Sequence, residues 1–347
     1  MKFEQMSRSR GLFDEQFRLE KLSQKNDPLE KLTTHIDFEF FRKPLSVLRD
    51  ATTDPSKGGR PSYDEVLMFK ILILQRYYNI SDDNTEYAIL DRLSFMRFLG
   101  LGINDRLPDA KTIWLFRDRL AKAGLVEVLF KLLDRQLNRD GIIMNAGKMV
   151  DASFVEVPVQ RNSREENEKI KEGEVPEDWD ENKRRQKDTD ARWTKHNGKK
   201  HYGYKNHVKA DTETKLLTAY EVTPANVHDS QVMEDLIEKE DAGEPLYADS
   251  AYRSESMETF CRSMGVQSRI HEKGYRNRPL QKRQKNANRK KSRVRARVEH
   301  IFAFMENSMN GMYLHYRNLG RVAAGIGLMN VTYNLFRLVQ IDVTLQR

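Results

Sequence analysis

The chain has 347 residues, 60 of them Lys or Arg and 52 Asp or Glu, which gives a formal net charge of +8. A hydrophobic fraction of 38% is enough to build cores and excludes wholesale disorder. One cysteine, Cys261, excludes a disulfide framework and a cysteine-based zinc site.

At roughly 150 residues per domain the length suits two domains. The N-terminus, MKFEQMSRSRGLFDEQFRLEKL, is too charged for a signal peptide. Residues 1–140 read as helical. The run YDEVLMFKILILQRYY from Tyr63 to Tyr78 is apolar along a wide face, with Ser62 placed as its N-cap and Asp64 and Glu65 in its first turn. Ser81-Asp82-Asp83 caps a helix over NTEYAILDRL. Asp109 caps KTIWLFRDRLAKAG, which Gly124 ends, and a last helix runs from about Val126 to Arg139. Arg60, Lys111, Arg117 and Arg119 could take this block onto DNA; a block that only dimerises would look the same.

From Gly147 the pattern changes. KMVDASFVEVPV is rich in valine and reads as a strand. Residues 160–195 carry nine acids against two lysines between Glu165 and Glu181, then KRRQKD, and read as an insertion or flexible loop. HYGYKNHVKADTETKLLTAYEVTP is a hairpin turning at Asp211–Thr214. A helix over His228–Lys239, a buried strand in PLYADS, a helix in SESMETFCRSMG and a strand in VQSRI follow. Three antiparallel strands followed by alternating helices and strands suggest a mixed α/β sheet over residues 141–347. The least charged run, between Arg321 and Arg337, holds 15 residues including Asn330 and Asn334, too short and polar to span a bilayer. The expectation is a soluble, reduced, cytoplasmic protein with no membrane partner.

Three acids sit where acids are awkward. Asp151 lies inside a valine-rich strand, Asp249 ends an apolar strand, and Glu299 rides on a helix from about Asn288 to Met309. On that helix Val294, Val298, Ile301, Phe302 and Met305 form an apolar stripe, and Glu299 flanks it one turn after Arg295. Carboxylates are rarely buried without compensating charge, and oxygen-only ligands select hard ions such as Mg²⁺ or Mn²⁺. Arginine pairing would satisfy them equally well.

Between Lys273 and Arg297 stand twelve Lys or Arg and no acid. The stretch lies between a strand and an apolar-faced helix, so it is held near the acids rather than trailing as a tail. Arg276, Arg278, Lys282, Arg283, Lys285, Arg289, Lys290, Lys291 and Arg293 are candidates to neutralise phosphates, with Lys199, Lys200, Lys205 and Arg295 beside them. A pI near 9.3 fits a polyanionic partner, though a soluble basic protein would share it. His196, His201 and His207 are too widely spaced to share a metal simply, and read as strand polar groups or DNA contacts. There is no Walker loop, hence no nucleotide cofactor, and no GxSxG elbow or cysteine nucleophile.

MVDASFVEVPVQR, DTDARWTKHNGKKHYGYKNHVKAD, TPANVHDS, YADSAYRS and RVRARVEHIF, with GRPSYDEVLMFKILILQ near the front, together resemble the DDE transposases of bacterial insertion sequences, in the group typified by insertion sequence five. The resemblance runs from about Gly59 to Asn334. It implies a ribonuclease-H-like catalytic domain preceded by a helical N-terminal domain used for DNA binding. It implies Asp151, Asp249 and Glu299 as catalytic metal ligands for two Mg²⁺ ions, Mn²⁺ substituting. The implied reaction is cleavage at the element's terminal inverted repeats and strand transfer into target DNA, by a homodimer in the synaptic complex. Arg295 matches the arginine of the family's Tyr-Arg-Glu-Lys signature. Ser292 and Glu306 replace its tyrosine and lysine, which puts the handling of the cleaved end in doubt. A junction resolvase, or a catalytically inactive transposase acting as a DNA-binding regulator, is the rival expectation.

Overall fold

The computed structural model describes residues 11, 13–50, 62–275 and 278–345. The front of the chain is helical: α1 (Asp14–Gln24), α2 (Pro28–His35), α3 (Arg42–Asp50), α4 (Glu65–Tyr78), α5 (Asp82–Asp91), α6 (Leu93–Leu99), α7 (Ala110–Lys122) and α8 (Leu125–Arg139). Four of these starts carry a side-chain cap. Ser81 accepts from the Asn84 N–H and Asp109 from the Thr112 N–H, as their residue types dictate. At α4 the cap is Asp64, which accepts from the Leu67 N–H, rather than Ser62. An aspartate at the N-cap also brings its charge to the helix's positive end. Arg60 lies outside the described residues.

The sheet is built from β1 (Lys148–Glu156), β2 (Arg192–His196), β3 (Lys199–Asp211), β4 (Leu217–Pro224), β5 (Pro245–Tyr247) and β6 (Gln267–Ser268). β3 pairs antiparallel with β1 on one side. On its other side it pairs with β2 along its first half and with β4 along its second. β5 and β6 continue parallel to β1. The order β4–β3–β1–β5–β6, antiparallel and then parallel, is the ribonuclease-H-like arrangement, with β1 at its centre. Gly203 sits in β3 at a φ of 145°, where a Cβ would run into the Val155 carbonyl of β1.

Two stretches differ from expectation. The acidic segment 160–195 is folded: α9 (Arg164–Lys171) starts with a Ser163–Glu166 capping box, α10 (Glu181–Gln186) follows, and β2 lies within it. Trp179 is buried between them and its Nε1 donates to Glu166 Oε1 at 2.7 Å. A single tryptophan anchors a segment whose composition alone reads as solvated. The helix placed over 228–239 is broken into 3₁₀ turns around α11 (Met233–Leu236). α12 (Glu255–Ser263) then covers β5 and β6.

The last helix, α15 (Leu319–Gln340), organises the core. It packs on α2, α4, α7, α8 and β4, so one apolar cluster runs from Leu29 to Leu345. Each buried Leu or Ile there contributes about 1.5–3 kcal/mol. Gly327 lets α15 close on Tyr220 and Val126, where a Cβ would collide. It is long and apolar enough to cross a membrane, but 83% of its most apolar window is buried in the protein. Its two asparagines explain themselves. Asn330 and Asn206 exchange hydrogen bonds at 2.8 and 3.1 Å, and Asn334 takes the Leu217 N–H and gives to the Leu217 carbonyl, both at 2.9 Å. They clip the helix to β3 and β4. Asn334→Leu strands two buried backbone groups, and denaturant unfolding should show a loss of about 2–4 kcal/mol.

Where α8 meets the sheet, Lys209 is buried against Glu238 and Asp241 at 2.8 and 2.7 Å. Asp134 of α8 faces this group with Oδ1 unpartnered. Burial first, then the charges of Glu238 and Asp241, push Asp134 up to about 7, against the pull of Lys209 and Lys148. A raised folded-state value means that the folded chain holds a proton the unfolded chain releases near pH 4. Stability from this group is full below about pH 4 and is lost as pH rises through about 7. Asp134→Asn should therefore raise Tm by a few degrees at pH 8, and the gain should vanish by pH 4.

Candidate active site

β1 alternates its side chains between two cores. Met149 and Val155 join the large cluster shared with the helical domain, while Val150 belongs to a second one with Leu246, Tyr252 and Met257. Asp151 shares the Met149 face. It stands opposite Val208 on β3, and β5 lies on its other side with Met149 level with Tyr247. Carrying that parallel register two residues on brings Asp249, just past the end of β5, alongside Asp151. Asp249 caps the turn Ser250–Tyr252 by accepting from the Ser250 N–H at 2.5 Å. A strand that ends in an N-cap aspartate is why this carboxylate is aimed outward at the sheet's rim.

The basic stretch supplies the third side. α13 (Lys282–Arg295) passes through a 3₁₀ turn into α14 (Glu299–Ala303), then one π turn over Phe304–Ser308. The single helix expected from about Asn288 thus begins earlier and is interrupted just before Glu299. Arg295 reaches β1, where Nη1 donates to Asp151 Oδ2 at 2.6 Å. Asp151 Oδ1 accepts from the Ala152 N–H at 2.9 Å. His271, after β6, sits with Nδ1 3.6 Å from Asp249 Oδ1.

The electrostatics of the two aspartates differ. Burial pushes Asp151 up to about 6; Arg295 and the Ala152 N–H oppose this, and the charges of Asp249 and Asp229 add to it. Burial also raises Asp249, but the Ser250 N–H, Arg295 and His271 outweigh it and leave it below the usual carboxylate range. One arginine therefore does not neutralise the acids around Asp151. The Tyr252 hydroxyl is buried beside them without a partner. Two hard oxygen donor groups with surplus negative charge fit a divalent cation of the Mg²⁺ type.

Glu299 is different. It opens α14, is exposed, and lies between the buried Val298 and Ile301. Among the described residues no three acidic, His or Cys side chains lie close enough together to hold a metal ion. The structure brings Asp151, Asp249 and Arg295 together and leaves Glu299 outside that contact.

The DNA-binding candidates separate by environment. Lys282, Arg283, Lys285, Arg289, Lys290 and Arg293 are exposed on α13, a helix with no buried residue, and Arg278 is exposed just before it. Lys282, Lys285, Arg289 and Arg293 recur at three- and four-residue spacing and form one cationic ridge. Lys291 is tied to the Ile270 carbonyl at 2.7 Å. Lys199 and Lys200 are exposed at the start of β3. Lys205 is not: it stands opposite Phe154, on the face away from Asp151, and its ammonium is held by the Val227 carbonyl and Asp229, both at 2.7 Å. The two-residue period of the strand turns it inward. Arg276 lies outside the described residues. In the helical domain Lys111 and Arg119 are exposed, whereas Arg117 is paired with Asp82.

The histidines form no cluster. His201 stacks on Phe154 and contacts Glu156 Oε1 at 3.0 Å, and His207 meets Thr223 Oγ1 at 2.9 Å. Burial pulls His207 down to about 4, so it is neutral at ordinary pH. Asp229 is the residue that sequence reasoning passed over. It lies in the TPANVHDS segment, and its charge reaches Asp151 while its carboxylate holds Lys205. The signal was an acid five residues after a strand, beside a histidine.

A family described as "Transposase DDE domain" matches residues 147–335, and one described as "Transposase domain (DUF772)" matches residues 17–119. Among solved structures, a cryo-EM synaptic complex of piggyBac transposase with hairpin DNA is similar over 92% of this chain and 77% of that one, at 12% identity and a TM-score of 0.43. The DDE match covers the whole sheet and more than half of the sequence, and the chain belongs to the DDE transposase family.

Proposed function

We propose that the chain cuts DNA at the ends of an insertion sequence and joins them to target DNA in a metal-dependent phosphoryl transfer. The observation that carries this reading is the meeting of Asp151 and Asp249 on one face of the sheet with the cationic helix α13 leading into it. Asp151 and Asp249, with Glu299 brought in from the adjoining helix, would hold two Mg²⁺ ions, and Mn²⁺ can substitute. When bound, such ions would supply activation of the attacking water or 3′-hydroxyl and stabilisation of the leaving 3′ oxygen.

The chain's own residues do the rest. The α13 ridge, with Arg278, Lys199 and Lys200, takes the sugar-phosphate backbone and fixes its register without reading bases. Arg295 supplies the charge that opposes the burial of Asp151, and a bound divalent cation would compete with it for that carboxylate. His271 orients Asp249. The helical block, residues 1–140, serves end binding and dimerisation, and residues 141–347 form the catalytic part. Terminal inverted repeats call for a two-fold synaptic assembly, which a homodimer supplies. The order of the motifs fits the insertion sequence five group.

A second reading is a DNA-binding regulator without catalysis. The exposed position of Glu299 and the ion pair that occupies Asp151 favour it.

Two outcomes test the assignment. Asp249→Asn should reduce Mg²⁺-dependent nicking of end-bearing DNA to the level without enzyme while duplex binding persists. A wild-type chain that binds ends and never nicks selects the regulator. Replacing Lys285, Arg289 and Arg293 together with alanine should weaken binding to every duplex and lower the slope of log K against log salt by about 0.9 for each phosphate that is no longer neutralised. An unchanged slope places α13 away from DNA.

A further inference from the structure

A cavity of about 240 Å³ lies outside the catalytic face, between α4, α7 and the segment 311–321 that leads into α15. Arg76, Arg117, Arg185, Arg317 and Arg321 line it, and Arg185 is paired with Glu181. Arg117 is paired with Asp82 at 2.5 Å and Arg321 with Asp118 at 2.8 Å. Arg76 and Arg317 have no carboxylate partner among the described residues. Arg317 is exposed at the mouth. Arg76 is only 6% exposed. Its Nη2 reaches the Gly311 carbonyl at a weak 3.4 Å, and its Nε is buried with no partner at all. A buried guanidinium without a counter-ion is costly, and a fold that keeps one at a cavity wall offers it to an anion. The guanidinium fork matches the oxygens of a phosphate.

The cavity is also in reach of the reaction. The segment that forms its wall is stitched to the far end of β1: the Glu156 N–H donates to the Met312 carbonyl and the Leu314 N–H to the Glu156 carbonyl. Glu156 is five residues beyond Asp151 on that strand, about 17 Å away. That is about half a helical turn of duplex.

We propose that this cavity is a phosphate-binding site that takes one phosphodiester of the DNA substrate, gripped by Arg76 from inside and Arg317 from the mouth. The DNA part of this proposal rests on the transposase reading above; the phosphate chemistry does not.

The test uses the full chain as wild type, Arg76→Met, Arg317→Ala and Arg317→Glu. Tm is measured in inorganic phosphate against sodium chloride at matched ionic strength, and binding of a mixed-sequence duplex is followed over a salt series. Phosphate should raise the wild-type Tm and leave the variants unmoved. Arg76→Met or Arg317→Ala should weaken duplex binding several-fold and lower its salt slope by about 0.9, the value for a single phosphate. Arg317→Glu should weaken it further, and this pair decides the matter if Arg76→Met does not fold. A wild-type Tm indifferent to phosphate, with duplex binding unchanged in the Arg317 variants, overturns the site. A phosphate effect abolished in the variants with duplex binding intact overturns the DNA assignment and leaves a free phosphate as the ligand. A wild type that binds no duplex defeats the transposase reading instead, and the phosphate arm still judges the cavity.

Discussion

A carboxylate in the middle of a central strand has to be matched by positive charge, and much of this protein is arranged around that need. Asp151 sits on β1 between two neighbouring strands, where water cannot solvate it fully. Burial and the nearby charges of Asp249 and Asp229 hold it up near 6. Arg295 meets it at 2.6 Å but must also serve Asp249. A cation of higher charge satisfies both aspartates better than one guanidinium, because the attraction scales with charge while the cost of burying the acids has already been met.

The rest of the fold holds that arrangement. The parallel register of β1 and β5, extended two residues past Met149 and Tyr247, sets the two aspartates side by side. The Asp249 cap fixes one of them by a backbone N–H, and α13 delivers the arginine. α13 itself buries nothing and carries a ridge of exposed cations, so packing does not account for its composition. A polyanion lying along it, as proposed above, would. α15 ties the helical block to the sheet through Asn330 and Asn334, so the two parts share one core.

Much of this was legible in the residues because it is local. Valine-rich runs around Asp151 gave the strand, the Asp211–Thr214 turn gave the hairpin, and Ser81 and Asp109 marked helix starts. The aspartates stood out because one lies in an apolar strand and the other just past the end of one. What was not legible depends on tertiary contacts. Trp179 folds the acidic segment by finding Glu166, a partner thirteen residues away that composition does not reveal. Lys205 reads as a surface cation until the strand's two-residue period turns it toward Asp229. Glu299 lies on the expected helix line, but the 3₁₀ turn over Ala296–Val298 rotates the chain just before it. Asp229 gave little sign of itself, since an acid after a strand is most often a turn residue.

On this reading Asp151 and Asp249 form one divalent-cation site. Titration of Mn²⁺ into the wild-type chain, Asp151→Asn and Asp249→Asn, read by electron paramagnetic resonance with and without duplex DNA, addresses it directly. The wild type should bind Mn²⁺, and either variant should lose that binding. Wild-type Mn²⁺ binding that survives both substitutions, or a wild type that binds no Mn²⁺ even with DNA present, would contradict it.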